Sequence, residues 1–178
     1  MYFFKKIQMS NQVNNFNVII TGDKNTGKTT FINKYVTKNF VNFPTSLKEN
    51  VVSFSYKSGR VVENCTITFI EKSLTSLKKA EDSFPCHGLI VLFNVTDKKS
   101  REHLDFYLKN MDGQVPVVIC GNKSDLQKST TDITFNCEKY KNTKYYPCSV
   151  KNNIGISDAI LSLIKRINND SKIVWNNC

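Results

Sequence analysis

Apolar positions along the chain fall into two kinds of pattern that take turns. Phe16-Asn17-Val18-Ile19-Ile20 is a short apolar run of strand type, and after it Phe31, Ile32, Tyr35 and Val36 recur at helical spacing. A strand, a loop and a helix are therefore predicted over about 16–38. Asn39 to Asn50 has no clean period and contains Pro44, so it reads as a loop. Val51-Val52-Ser53-Phe54-Ser55-Tyr56 alternates in part. Ser58-Gly59 is a turn, and Val61-Val62 followed by Cys65–Ile70 returns as the second arm of a hairpin. Residues 71–86 are polar and irregular.

The second half continues the alternation. Leu89–Phe93 and Val115–Cys120 are continuous apolar runs, as expected of strands buried on both faces. Between them Leu104, Tyr107, Leu108 and Met111 define a helix face. A weak helix is predicted near 131–141, a short strand at Tyr145–Cys148, and a last helix on Ile160, Leu161, Ile164 and Ile167. Residues 1–14 read as a polar leader, 15–168 as one domain, and 169–178 as a tail that is polar apart from Ile173, Val174 and Trp175. Strands that alternate with helices predict an α/β fold, a mainly parallel sheet with helices on both faces, whose ligands sit at the carboxyl ends of the strands.

Composition narrows the class. At 178 residues, 40% of them hydrophobic, the chain is long enough for one domain with a sizeable core. The formal net charge is +10, but the lysines are scattered rather than blocked, which fits solvated helix faces. No aromatic-rich strand or concentrated basic patch supports an RNA-binding reading. The six cysteines form no C-x-x-C pair, and Cys65, Cys120 and Cys148 lie in or beside strand-like runs where cysteine serves as a small hydrophobe. That pattern points to a reducing compartment. Gly88–Val95, the longest apolar run, is too short to span a bilayer, and the start of the chain lacks a signal-peptide core. A soluble intracellular protein is expected.

Three motifs carry candidate chemistry, each just after a predicted strand. Gly22-Asp23-Lys24-Asn25-Thr26-Gly27-Lys28-Thr29 fits the phosphate-binding pattern G-x-x-x-x-G-K-[ST], and Thr30 follows it. Glycines let the loop turn its backbone N–H groups on a phosphate. Lys28 supplies charge between the last two phosphates and Thr29 a hydroxyl for Mg²⁺, while the helix start adds its positive dipole end. Asn122-Lys123-Ser124-Asp125 is N-K-x-D. It is either a charged turn or a purine-reading loop in which Asp125 accepts two hydrogen bonds from guanine, Lys123 lies along the ring and Asn122 braces the loops. Ser149-Val150-Lys151 offers a backbone N–H to a guanine carbonyl oxygen; alone it is a weak pattern.

With these residues the chain resembles the Ras superfamily of small GTPases, and within it the Ran branch, over about residues 15–168. Gly22–Phe31, Cys120–Leu126, Ile133-Thr134-Phe135, Lys144-Tyr145-Tyr146 and Ser149–Asn153 carry the likeness. The resemblance implies a six-stranded sheet with five helices, GTP and GDP as ligands, and Mg²⁺. It implies that Phe40 packs edge-on against the base. It makes Asn39–Asn50 the first switch, with Thr45 as its Mg²⁺ ligand and Ser46 as the rival. Soluble effectors or transport receptors would meet the switches, with no lipid anchor at Cys178 and no DNA. The chain would act as a monomer in the cytoplasm and nucleus.

The departures from the family pattern are equally specific. Where members carry D-x-x-G-Q, this chain reads Glu71-Lys72-Ser73-Leu74-Thr75. Glu71 would reach Mg²⁺ through water. Leu74 replaces a glycine, Thr75 replaces the glutamine that orients the attacking water, and Lys24 stands where glycine is usual. Two readings follow: a slow GTP hydrolase that works as a switch, or a pseudo-GTPase that holds nucleotide structurally and acts as a decoy or scaffold. The N-K-x-D motif argues against an ATP-using P-loop kinase.

Overall fold

The computed structural model of the protein describes residues 8–40, 50–73, 85–109, 115–127, 140 and 142–176. Within these, strands and helices alternate in the chain as β1 (Gln8–Gly22), α1 (Lys28–Thr37), β2 (Val51–Ser58), β3 (Val61–Glu71) and β4 (Gly88–Asn94). Then come α2 (Lys98–Lys109), β5 (Val117–Asn122), a single 3₁₀ turn (Ser124–Leu126), β6 (Thr143–Pro147), α3 (Ile156–Ile167) and β7 (Ile173–Trp175). The sheet runs in the order β6-β5-β4-β1-β3-β2-β7. Strands β1, β3, β4, β5 and β6 are mutually parallel, whereas β2 is antiparallel to both β3 and β7.

Period-two burial explains why the central strands read as continuous apolar runs. Val18, Ile20, Ile90, Leu92, Val118 and Cys120 face one core, with Phe31, Ile32, Ala159, Ile160, Leu163 and Ile164 of α1 and α3 packed on them. The intervening Ile19, Leu89, Val91, Phe93, Val117 and Ile119 face a second core closed by Leu104 and Leu108 of α2. These two alternating sets thus give the central strands apolar company on both faces. The α/β architecture predicted from the alternation is the one observed. Among the described residues no helix is long and apolar enough to cross a membrane.

The structure departs from expectation at both ends. Residues 8–14, read as leader, are strand: β1 pairs with β3 from Gln8↔Val61 onward, with a register shift between Met9 and Val13. The pairing is made by backbone groups and so needs no apolar side chains. Asn14 adds to it by donating to the Tyr56 hydroxyl at 2.9 Å and the Glu63 carboxylate at 2.8 Å. The sheet has seven strands rather than six, because Ile173–Trp175 of the polar tail returns to pair with Tyr56–Ser58. Ile173 is buried, and the Trp175 ring meets Phe54 edge-on at 5.0 Å. The expected helix near 131–141 falls outside the described residues apart from Tyr140, as do residues 41–49 of the predicted switch loop.

The turn into β7 is pinned by charge. Ser58 donates to the Asp170 carboxylate, and Lys172 N–H donates to its other oxygen at 2.9 Å. The Ser58 bond, then the Lys172 N–H, hold the Asp170 carboxyl below its ordinary 3.8. The unfolded chain therefore binds the proton more readily than the fold does. The contribution of this contact is complete above the unfolded value and is lost as pH falls through the depressed folded one. Trp175 is the sole tryptophan, so its fluorescence reports on β7. Acid titration through this low-pH window is expected to loosen the turn into β7, and Ser58→Ala should move the loosening to higher pH. An unchanged titration in Ser58→Ala would remove Asp170 as its cause.

Candidate functional site

The three motifs converge on one edge of the sheet. β1 ends in Gly22 and runs into the phosphate loop, β5 ends in Asn122, and β6 runs into Cys148 and Ser149. Because β4, β1, β5 and β6 are parallel neighbours or near neighbours, these three ends lie side by side.

Local sequence forces the loop's shape. Gly22 has φ 143°, and a Cβ there would stand 2.1 Å from the Leu92 carbonyl oxygen of β4. Gly27 has φ 97°, and a Cβ there would stand 2.5 Å from Asn122 Nδ2. Both positions therefore exclude any side chain. Between them Asn25 takes φ 65°, and Thr26 turns its buried hydroxyl back onto the Asp23 carbonyl at 2.9 Å. Lys24 and Asn25 are exposed. Gly27 precedes the first turn of α1, which holds Lys28, Thr29 and Thr30. The Lys28 ammonium donates to the Gly22 and Asp23 carbonyls at 3.1 and 2.8 Å. Burial lowers its pKa, and the Glu71 and Asp23 carboxylates pull it back up.

Glu71, the last residue of β3, accepts from the Thr29 hydroxyl with both oxygens, at 3.1 and 2.9 Å. A hydroxyl and a carboxylate that converge at the phosphate loop form an all-oxygen set, which fits Mg²⁺ completed by phosphate and water. Among the described residues no cluster of three or more His, Cys, Asp or Glu side chains competes for a metal. Thr45, Ser46, Leu74 and Thr75 lie outside the described residues.

Asn122 joins the motifs. It is 3% exposed. Its Nδ2 donates to the Thr26 carbonyl at 2.9 Å, and its Oδ1 accepts from the Val150 N–H at 3.1 Å. One side chain thus links the phosphate loop to the loop after β6. Lys123 takes φ 64°, which turns the chain into the 3₁₀ segment carrying Asp125. The Ser149 hydroxyl donates to Asp125 Oδ1 at 2.6 Å and so fixes the plane of that carboxylate. Ser149 and Val150 are buried and Lys151 is exposed. Phe40 is half-buried against the α1–α3 core. Cys120 and Cys148 sit one step before the two base-side loops, both wholly buried. The neighbouring Cys148 thiol, together with burial, pushes the Cys120 thiol well up, which keeps it protonated and unreactive.

Two contacts were not legible in the sequence. His103 of α2 meets Asp23 of the phosphate loop at 2.9 Å across 80 positions, and no local pattern marks it. Ser149 enters the sequence reading through its backbone alone, and nothing local marks its hydroxyl as the partner of Asp125, 24 positions away.

A strand, a glycine-bounded phosphate loop and a helix, flanked by two further loops at adjacent strand ends, define a P-loop nucleotide-binding domain. The model of the Ras family matches residues 17–169, and the chain belongs to that family: it is a small GTP-binding protein.

Proposed function

We propose that this chain is a Ran-like guanine-nucleotide switch that hydrolyses GTP slowly and acts through soluble protein partners, with transport receptors as the partner class. The observation that supports the binding half is the Asn122 bridge, which ties the phosphate loop to the loop after β6, where Ser149 in turn holds Asp125. In this reading Gly22–Thr30 hold the phosphates, Lys28 neutralises the terminal ones, and Phe40, Asn122, Lys123, Asp125, Ser149, Val150 and Lys151 surround the base. Thr29 and Glu71 would hold Mg²⁺, with Thr45 as the expected switch ligand. Bound there, Mg²⁺ would neutralise charge on the outer phosphates.

The departures from the family pattern support slow turnover. Phosphoryl transfer rests on placing the attacking water and neutralising the γ-phosphate. Thr75 is too short to place water as glutamine does, Leu74 allows less backbone freedom than the family's glycine, and the exposed side chain of Lys24 would crowd an arginine inserted by an activating protein. Glu71 also accepts directly from the Thr29 hydroxyl, so the acid expected to reach Mg²⁺ through water engages the hydroxyl expected to bind it. The same contact favours the second reading, a pseudo-GTPase scaffold in which nucleotide is structural.

Single-turnover phosphate release from GTP-loaded protein with Mg²⁺ separates the two. Measurable slow release supports the switch, and none at all supports the scaffold. Leu74→Gly with Thr75→Gln is expected to raise the rate on the order of 10- to 100-fold, and Lys24→Gly to raise it further. If wild-type protein releases phosphate as fast as an activated small GTPase, the roles given to residues 71–75 are wrong.

A further inference from the structure

We infer that His103 is a positioning residue of the nucleotide site: it holds the Asp23 carboxylate against α2, out of the phosphate-binding volume. The inference rests on the guanine-nucleotide reading above and adds to it a residue from outside the three motifs.

Asp23 is the only acidic residue between Gly22 and Thr30. A carboxylate in a loop that must surround two or three phosphates opposes its own ligand. It already attracts the Lys28 ammonium, a cation the phosphates need. The structure divides the residue in two. The Asp23 carbonyl turns inward and accepts from Lys28 Nζ at 2.8 Å and from the Thr26 hydroxyl at 2.9 Å. The carboxylate turns instead to His103, with Oδ2 2.9 Å from Nδ1. An ionised carboxylate only accepts, so Nδ1 carries the proton and donates.

The tether is firm at its far end. Leu104, the next residue, is 2% exposed and Leu108 is 4% exposed, both locked in the α2 core. The start of α2 is fixed by Asp97, which accepts from the Lys99 N–H at 3.0 Å, and by the Ser100 hydroxyl, which accepts from the Asn94 N–H at 3.1 Å. A swing of the Asp23 side chain toward Lys28 would break the His103 bond without any compensating movement of the helix. His103 thus keeps a loop carboxylate from competing with phosphate for Lys28.

The test uses the full chain and fluorescent GMP, GDP and GTP, titrated in the presence of Mg²⁺. His103→Ala is expected to weaken GTP roughly threefold to tenfold, the scale of one ordinary hydrogen bond at a solvent-exposed ring, GDP less and GMP least. His103→Asn, whose amide also donates, should recover most of the loss. In an Asp23→Asn background His103→Ala should change affinity little, because the charge to be held away is gone. A loss equal for the three nucleotides, or one that persists with Asp23→Asn, would make His103 merely structural and overturn the inference. So would wild-type affinity in His103→Ala, with thermal melting confirming that each variant folds. Wild-type protein that binds none of the three nucleotides would remove the guanine-nucleotide reading and the inference with it. Tight wild-type binding with unaffected variants would remove the inference alone.

Discussion

Asp125→Ala is expected to weaken GTP and GDP binding by about 2–5 kcal/mol, the cost of truncating one partner of a buried charged hydrogen-bonded pair. In dissociation constant this is about thirty-fold to several thousand-fold. The carboxylate is already oriented, since Ser149 donates to its Oδ1 at 2.6 Å, so little ordering opposes its capture of two guanine donors. Asp125→Asn should shift preference toward xanthine nucleotides, whose ring reverses the donor and acceptor at the position read. Competition binding with GTP, XTP and ATP measures all three. Equal wild-type affinity for ATP and GTP would end the base-reading role of this loop.

Asn122→Ala is expected to loosen the phosphate loop and the base loop together. The amide side chain serves the Thr26 carbonyl and the Val150 N–H at once. Its removal leaves both in a buried setting with a partner lost. Each orphaned group costs about 1–3 kcal/mol, so about 2–6 kcal/mol is expected in stability, with faster release of bound nucleotide. Asn122→Asp separates the halves: it keeps an acceptor for Val150 and sets a carboxylate against the Thr26 carbonyl. Denaturant midpoints and nucleotide off-rates measure the two effects. An unchanged midpoint together with an unchanged off-rate in Asn122→Ala would show that the loops hold their places without the bridge.

How much of this was legible in the sequence depends on what kind of interaction was responsible. The central strands were plain, because burial on both faces demands apolar residues at every position from Leu89 to Phe93. The phosphate loop was plain because Gly22 and Gly27 hold conformations and close approaches that admit no Cβ. The first half of β1 was not, because its partner is the backbone of β3 and hydrogen bonds between main chains leave no mark on side-chain type. β7 was half legible: Ile173, Val174 and Trp175 were the apolar residues of the tail, but three residues give too short an alternation to be read as a strand. The His103–Asp23 contact spans 80 positions, and nothing local to either residue announces the other. Asn122 was recognised as a brace, yet which loops it braces was settled only by the fold.

β7 has a consequence for how copies of this protein behave toward one another. An open sheet ends in strands whose outer N–H and C=O groups invite pairing with another chain. At one end of this sheet β6 is five residues long, carries Lys144 and closes with Pro147, which has no N–H to donate. At the other end β2 would be the edge, and its partly apolar sequence would make a ready template. β7 lies along Tyr56–Ser58 of that edge, and Asn176 extends the cover by donating from its backbone N–H to the Ser55 carbonyl at 3.4 Å. Three strand residues and one asparagine thus occupy the Ser55–Ser58 end of that edge, where another copy would otherwise pair.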